Sequence, residues 1–169
     1  GSATAGVRPI PLARLPYPRR AAIGFAVCGL CAIAPAMNTE ISNAQGEKID
    51  YSFHDAGGDL VVAIGHGVTG HTDRPRVLAL AEGLAAAGVS ALRFSFAGNG
   101  DSGGDFREAT ISKEVGDLDA VLSALDAAGK MVIYAGHSMG GAVGVLKASS
   151  DDRIKALVSL AGMEIGRAH

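Results

Sequence analysis

The chain has 169 residues, the length of one domain. Hydrophobic residues make up 48% and charged residues 19%, so the chain can bury a core, and a net charge of −2 leaves no basic footprint for nucleic acid. The charge is uneven: residues 1–39 hold Arg8, Arg14, Arg19 and Arg20 and no acid, whereas from Glu40 onward eleven basic residues stand against 17 acidic ones.

In the first segment, Arg19-Arg20 precede an apolar run over 21–37 that ends in the small residues Ala34-Pro35-Ala36. That is the pattern of a signal peptide. The long, Arg-rich, acid-poor start also fits an organelle transit peptide, and the opening Gly-Ser fits a non-native scar. The run is at the short end for a membrane span. Residues 1–38 are therefore expected to be a leader or non-native segment, and 39–169 the folded part. A genuine leader implies export or organelle targeting. The remainder has no cysteine and is compatible with the cytoplasm. Cys28 and Cys31 sit inside the apolar run without a second pair or a nearby His, so no metal or redox role is expected of them.

From about residue 40 the pattern is regular. IDYSFH (49–54) alternates and predicts an outer strand. DLVVAIG (59–65) is continuously apolar, as in a strand buried on both faces. Val77, Leu80 and Leu84 predict a helix from about Arg76, closed by Gly88. VSALRFSF (89–96) predicts the next strand. Ile111, Val115, Leu118, Leu122 and Leu125 form one helical stripe over about 110–128, followed by Gly129. MVIYAG (131–136) is a strand, MGGAVGVLKAS a short helix and IKALVSLAG (154–162) a last strand. This alternation predicts an α/β fold, a mostly parallel sheet with helices on both faces. Ligands then bind beyond the carboxyl ends of the strands, in the loops GHGVTGH, AGNGDSGGDF, GHSMGG and AGMEIGRAH.

GHSMGG (136–141) fits G-x-S-x-G between a strand and a helix. Such a turn holds Ser138 in a strained conformation as a nucleophile. Gly136 and Gly140 stand where side chains would clash with the turn. The Met139 N–H, at the helix start, faces a developing oxyanion. GHGVTGH follows the 59–65 strand, where this arrangement takes its second donor. Gly67 permits close approach of the backbone there, and the Val68 N–H is the candidate donor. His66 is expected to shape this loop and His137 to fill space in the turn. His66, His71 and His137 lack the spacing and acidic partners of a metal site, so no metal and no other cofactor is expected. Gly98, Gly100 and Gly103 spell G-x-G-x-x-G, but the fingerprint must open a helix at once. Asp105, Phe106 and Arg107 intervene, which leaves a glycine-shaped loop beside the pocket.

HGVTGH, LRFSFAGNGDSGGDF and GHSMGG, in this order at successive strand ends, resemble the α/β-hydrolases. Within them the chain is most similar to the serine aminopeptidase-like and cinnamoyl (feruloyl) esterase-like branch, over roughly residues 45–162. Val68 stands where that branch usually has Phe, and Ser95 where it has Asp. Neither change removes a backbone donor. The resemblance implies a serine hydrolase acting on a small-molecule ester or amide. The catalytic order in this fold is Ser, then an acid, then His, and both partners come after the 154–162 strand. Only MEIGRAH remains there. The chain is thus expected to be the N-terminal part of such a domain, truncated after the strand that follows the nucleophile helix. Glu164 is the candidate acid. Asp151 and Asp152 lie at the wrong end of that strand, and a terminal His169 is a poor base. The alternative is a catalytically inert fragment or relative that acts by binding. The strand 154–162 is expected to form an exposed edge through which the isolated chain self-associates.

Overall fold

A computed structural model describes Met37 and residues 39–162. Cys28, Cys31, Glu164 and His169 lie outside the described residues.

The centre of the fold is β4, Leu60–Gly65. Its run of apolar residues divides by parity, because alternate side chains leave a strand on opposite faces. Val62 and Ile64 enter one core with Val77 and Ala81, while Val61 and Ala63 enter another with Leu118, Val121, Leu122 and Leu125. The same division holds on β5 (Ser90–Phe94), where Ala91 faces one way and Leu92 and Phe94 the other. On β6 (Met131–His137), Ala135 joins the first core, and Val132 and Tyr134 the second. With β3 (Tyr51–His54) and β7 (Ile154–Leu160), the five-stranded sheet runs β3-β5-β4-β6-β7, β3 antiparallel to β5 and all other pairs parallel. The chain moves from β4 outward to β5, then returns to β6 on the other side of β4. That reversal opens a crevice at the carboxyl ends of β4 and β6.

Helix α1, Pro75–Ala86, covers one face of the sheet, and its end is closed by Gly88 at φ +81°. The Gly88 and Val89 N–H groups donate to the Ala85 and Leu84 carbonyls there, closing the last turn. Helix α2, Ile111–Ala127, covers the other face. Its Thr110 cap accepts from the Lys113 N–H at 3.2 Å. Helix α3, Met139–Ala148, lies on the same side and buries Met139, Ala142 and Val143. Strand β7, Ile154–Leu160, is the last strand of the described sheet, and Val158 and Leu160 are exposed along it.

Three boundaries differ by more than one residue from those expected of the sequence. The outer strand expected over 49–54 breaks at Asp50. Lys48–Ile49 (β2) pairs with Ile41–Ser42 (β1), and only Tyr51–His54 joins the main sheet. The Asp50 backbone is held by the 95–102 segment instead: its N–H donates to Ser102 Oγ and its carbonyl accepts from the Ser95 N–H. The strand expected to reach Phe96 leaves the ladder after Phe94, because the next N–H groups bond elsewhere. The Phe96 N–H donates to His66 Nε2 and the Ala97 N–H to Asp117 Oδ2. The last strand stops at Leu160, because Ala161 turns to φ +48°.

Beneath α2 lies a buried acidic pair. Asp117 is fully buried and accepts from Asn43 Nδ2 and the Ala97 N–H, tying the β1–β2 turn and the 97–104 loop to the helix. Glu114, 2% exposed, leaves Oε2 without a hydrogen-bond partner among the described residues. Burial, reinforced by the Asp117 charge, pushes the Glu114 carboxyl up to about 7, from an ordinary value near 4.5. Between these values the unfolded chain releases a proton that the folded chain keeps, so stability falls as pH rises from about 4.5 to about 7. Glu114→Gln is predicted to remove much of this slope. Urea denaturation should show a gain on the order of 1–3 kcal/mol at pH 8 and little or none at pH 4.

Candidate active site

The turn from β6 into α3 is built on residues that lack side chains. A Cβ on Gly136 would overlap the backbone of Gly140. One on Gly140 would lie 2.5 Å from the His66 carbonyl oxygen, and one on Gly141 2.6 Å from Ser159 Oγ. Stripped of these atoms, the turn closes tightly enough to hold Ser138 at φ +53° and ψ −115°, as the residue that starts α3. Such a conformation costs a non-glycine residue on the order of 1–3 kcal/mol and persists only where surrounding bonds enforce it. Here the Ser138 N–H donates to the Leu160 carbonyl at 2.9 Å, and the Ser138 carbonyl accepts from Gly141 and Ala142.

The loop after β4 lies against this turn. The Gly140 N–H donates to the His66 carbonyl at 3.1 Å. Gly67 is bare where a Cβ would come within 3.1 Å of both His137 Nδ1 and Ser138 Cβ. Its value is therefore close approach to the turn at Ser138. The loop is pinned from behind by His66, which is 1% exposed. His66 Nδ1 donates to the Gly67 carbonyl at 2.7 Å, Nε2 accepts from the Phe96 N–H at 3.0 Å, and the ring meets Phe96 edge-on. Burial, with smaller contributions from His71 and Arg74, holds this imidazole down at about 4, so it is neutral at physiological pH. With both nitrogens engaged, His66 is a strut. Ser95, at the position where the resembling branch has Asp, anchors the same loop further along, since its Oγ accepts from the Thr72 N–H.

Ser138, Val68, Gly67, His66 and His137 line one cavity of 470 Å³. Val68 is 52% exposed, whereas the Met139 side chain turns into the core and leaves only its backbone at the helix start. Among the described residues, neither the Val68 nor the Met139 N–H donates a hydrogen bond. All three non-glycine residues with positive φ among the described residues border this place. Thr69 and Ser138 line the cavity, and Ala161 follows Leu160, which also lines it.

The 97–104 loop does not line this cavity. Gly103 and Gly104 pack on Lys48 and Glu47 of the β1–β2 segment, and Gly100 on Ser95 and on His71 of the loop after β4. Asp151 is likewise structural, paired with Arg153 and Lys147. Arg74 and Arg76 carry no motif that singles them out in the sequence. The one local signal for them is Pro75, a residue favoured at the first helical position, which sets both arginines at the start of α1.

Several solved structures share this arrangement of sheet and helices. Est1E from Butyrivibrio proteoclasticus, solved with ferulic acid bound, is 30% identical with a TM-score of 0.64, over 70% of this chain and 51% of that one. The Pyrococcus furiosus esterase Pf2001 is 27% identical with a TM-score of 0.65, over 70% and 48%. A putative hydrolase from Agrobacterium vitis is 26% identical with a TM-score of 0.65, over 73% and 51%. The chain thus spans about half the length of these structures. No curated protein matches it.

Gly140→Ala tests the contact between turn and loop. The added methyl meets backbone atoms of Gly65 and His66 that cannot swing away. The variant is predicted to lose roughly 1–3 kcal/mol in urea denaturation, the usual cost of overpacking.

The family model for serine aminopeptidase, S33, matches residues 58–167, which include both the loop after β4 and the turn at Ser138, and the chain belongs to that family of α/β-hydrolases.

Proposed function

We propose that the protein is a serine hydrolase of carboxylic esters that works through an acyl-enzyme on Ser138. Ser138 Oγ attacks the acyl carbonyl carbon, and the hydroxyl proton passes to a histidine oriented by a carboxylate. The carbonyl oxygen becomes an oxyanion held by the Val68 and Met139 N–H groups. The tetrahedral adduct collapses, the alcohol leaves with the proton, and water repeats the sequence on the acyl-enzyme. The histidine and its carboxylate are supplied outside residues 39–162 in this reading.

The observation that carries the proposal is a serine held at φ +53° on a cavity that Val68 also lines, with neither the Val68 N–H nor the Met139 N–H that follows the serine donating a hydrogen bond among the described residues. An ordinary strand-to-helix turn has no reason to keep a serine in that conformation. Est1E, solved with ferulic acid, and the Pyrococcus esterase support an ester as the substrate class.

One observation favours a second reading, a protein that binds through this cavity without turnover. Among the described residues, Ser138 Oγ has no histidine partner: His66 is engaged at both nitrogens, and His137 Nε2 faces Arg76. A fluorophosphonate reagent separates the two. The hydrolase reading predicts one adduct by intact mass within minutes, located at Ser138 by peptide mapping and lost in Ser138→Ala. An intact chain that stays unmodified after hours would favour binding alone.

A further inference from the structure

The cavity beside Ser138 has a charge imbalance that the proposed ester chemistry does not require. Its walls are partly apolar, through Val68, Val77, Leu80 and Leu160. Its fixed charges are both positive, Arg74 and Arg76, and no carboxylate lines it among the described residues.

Among the described residues, neither arginine pairs with a carboxylate there. Arg74 Nη2 donates to the Thr69 carbonyl at 2.8 Å. Arg76 Nη1 meets only an imidazole nitrogen, His137 Nε2, at 3.4 Å. The nearest acid in sequence, Asp73, is taken by Arg93. Elsewhere in the fold Lys113, Lys147 and Arg153 each pair with carboxylates. The start of α1 adds to the imbalance. Pro75 fixes the first turn against the cavity, and that turn contains no acidic residue to offset the positive end of the helix. The Arg76 guanidinium is in contact with the residue just before the serine. A substrate group lying beside the reacting carbonyl comes within its reach, and a planar carboxylate matches its paired donors.

We propose, building on the serine-hydrolase reading, that the esters accepted here carry a second, ionised carboxylate, and that Arg76 selects for it. Arg76 is a specificity residue. It touches the distal anion of the substrate and takes no part in bond breaking. The anion sits on the acyl side in a half-ester of a dicarboxylic acid, or on the alcohol side in an ester of a hydroxy acid. The same guanidinium serves either.

Two matched pairs of esters separate these sources in the full chain. On the acyl side, mono-4-nitrophenyl glutarate is compared with its neutral methyl ester. On the alcohol side, 4-carboxyphenyl butyrate is compared with 4-carbamoylphenyl butyrate. In at least one pair the anionic member should have a kcat/KM about tenfold higher at low salt. The ratio should fall toward one in 0.5 M NaCl, because a partly exposed pair is screened. In Arg76→Met the ratio should drop about tenfold, and Arg76→Lys should restore part of it. Ratios near one in both pairs, or a ratio that Arg76→Met leaves in place, would overturn the proposal.

A binding arm keeps the inference separate from catalysis. Ser138→Ala is titrated with 3-phenylpropanoate and with 3-phenylpropanamide, followed by NMR. The acid should bind about tenfold more tightly, and Arg76→Met in that background should erase the difference. Equal binding of acid and amide would sink the anion site even if Ser138 proved to be a nucleophile. Preferential binding of the acid without ester turnover or Ser138 labelling would keep the anion site and discard the hydrolase reading.

Discussion

The arrangement depends on one close contact between two pieces of backbone. The turn that enters α3 and the loop that leaves β4 approach until the Gly140 N–H reaches the His66 carbonyl, with Gly67 bare against Ser138. Any side chain at Gly140 would hold them apart. The contact sets the kink at Ser138, the position of Val68 and the floor of the cavity together. Hydrogen bonds along the turn, from Ser138 to Leu160 and from Gly141 to Ser138, hold the strained residue in place. The parallel pairing of β4 with β6, which reaches Gly65 opposite Gly136, brings the two loops to the same sheet edge.

Support for that contact comes from well behind it. His66 couples the end of β5 to the loop, since its ring links the Phe96 N–H to the Gly67 carbonyl. Phe96 meets both His66 and Phe94 edge-on, which joins the loop to the aromatic core. Ser95 and Arg93 anchor Thr72 from the same strand end. Beneath them Asp117 fastens the 97–104 loop to α2 and to Asn43. The polar groups that hold the site are thus buried and individually satisfied, with Glu114 the exception among the described residues. That exception ties stability to pH, at a place away from the cavity.

Much of this could be read from the residues. Strand β4 was legible because burial on both faces leaves an unbroken apolar run, and α2 because its stripe repeats at helical spacing. Ser138 was legible because glycines at two fixed offsets mark a turn with no room for side chains. The break at Asp50 was not, because its partners Ser95 and Ser102 lie far along the chain and leave no local trace. The glycines of the 97–104 loop mark a glycine-shaped loop beside the pocket, but not what they pack against. Gly103 and Gly104 pack against Glu47 and Lys48, a contact fixed only once the β1–β2 turn is in place. Pro75 marks the helix start that carries Arg76, but the contact of Arg76 with His137 spans 61 residues and leaves no local trace.

The most direct measurement is a crystal structure of the protein after reaction with a fluorophosphonate, which leaves a phosphonyl group where an acyl carbon would sit. The account predicts a covalent bond from Ser138 Oγ to phosphorus. It also predicts that the phosphoryl oxygen lies within hydrogen-bonding distance, about 2.7–3.1 Å, of both the Val68 and the Met139 nitrogen. An unmodified Ser138, or an adduct whose phosphoryl oxygen points away from those two amides into solvent, would contradict it.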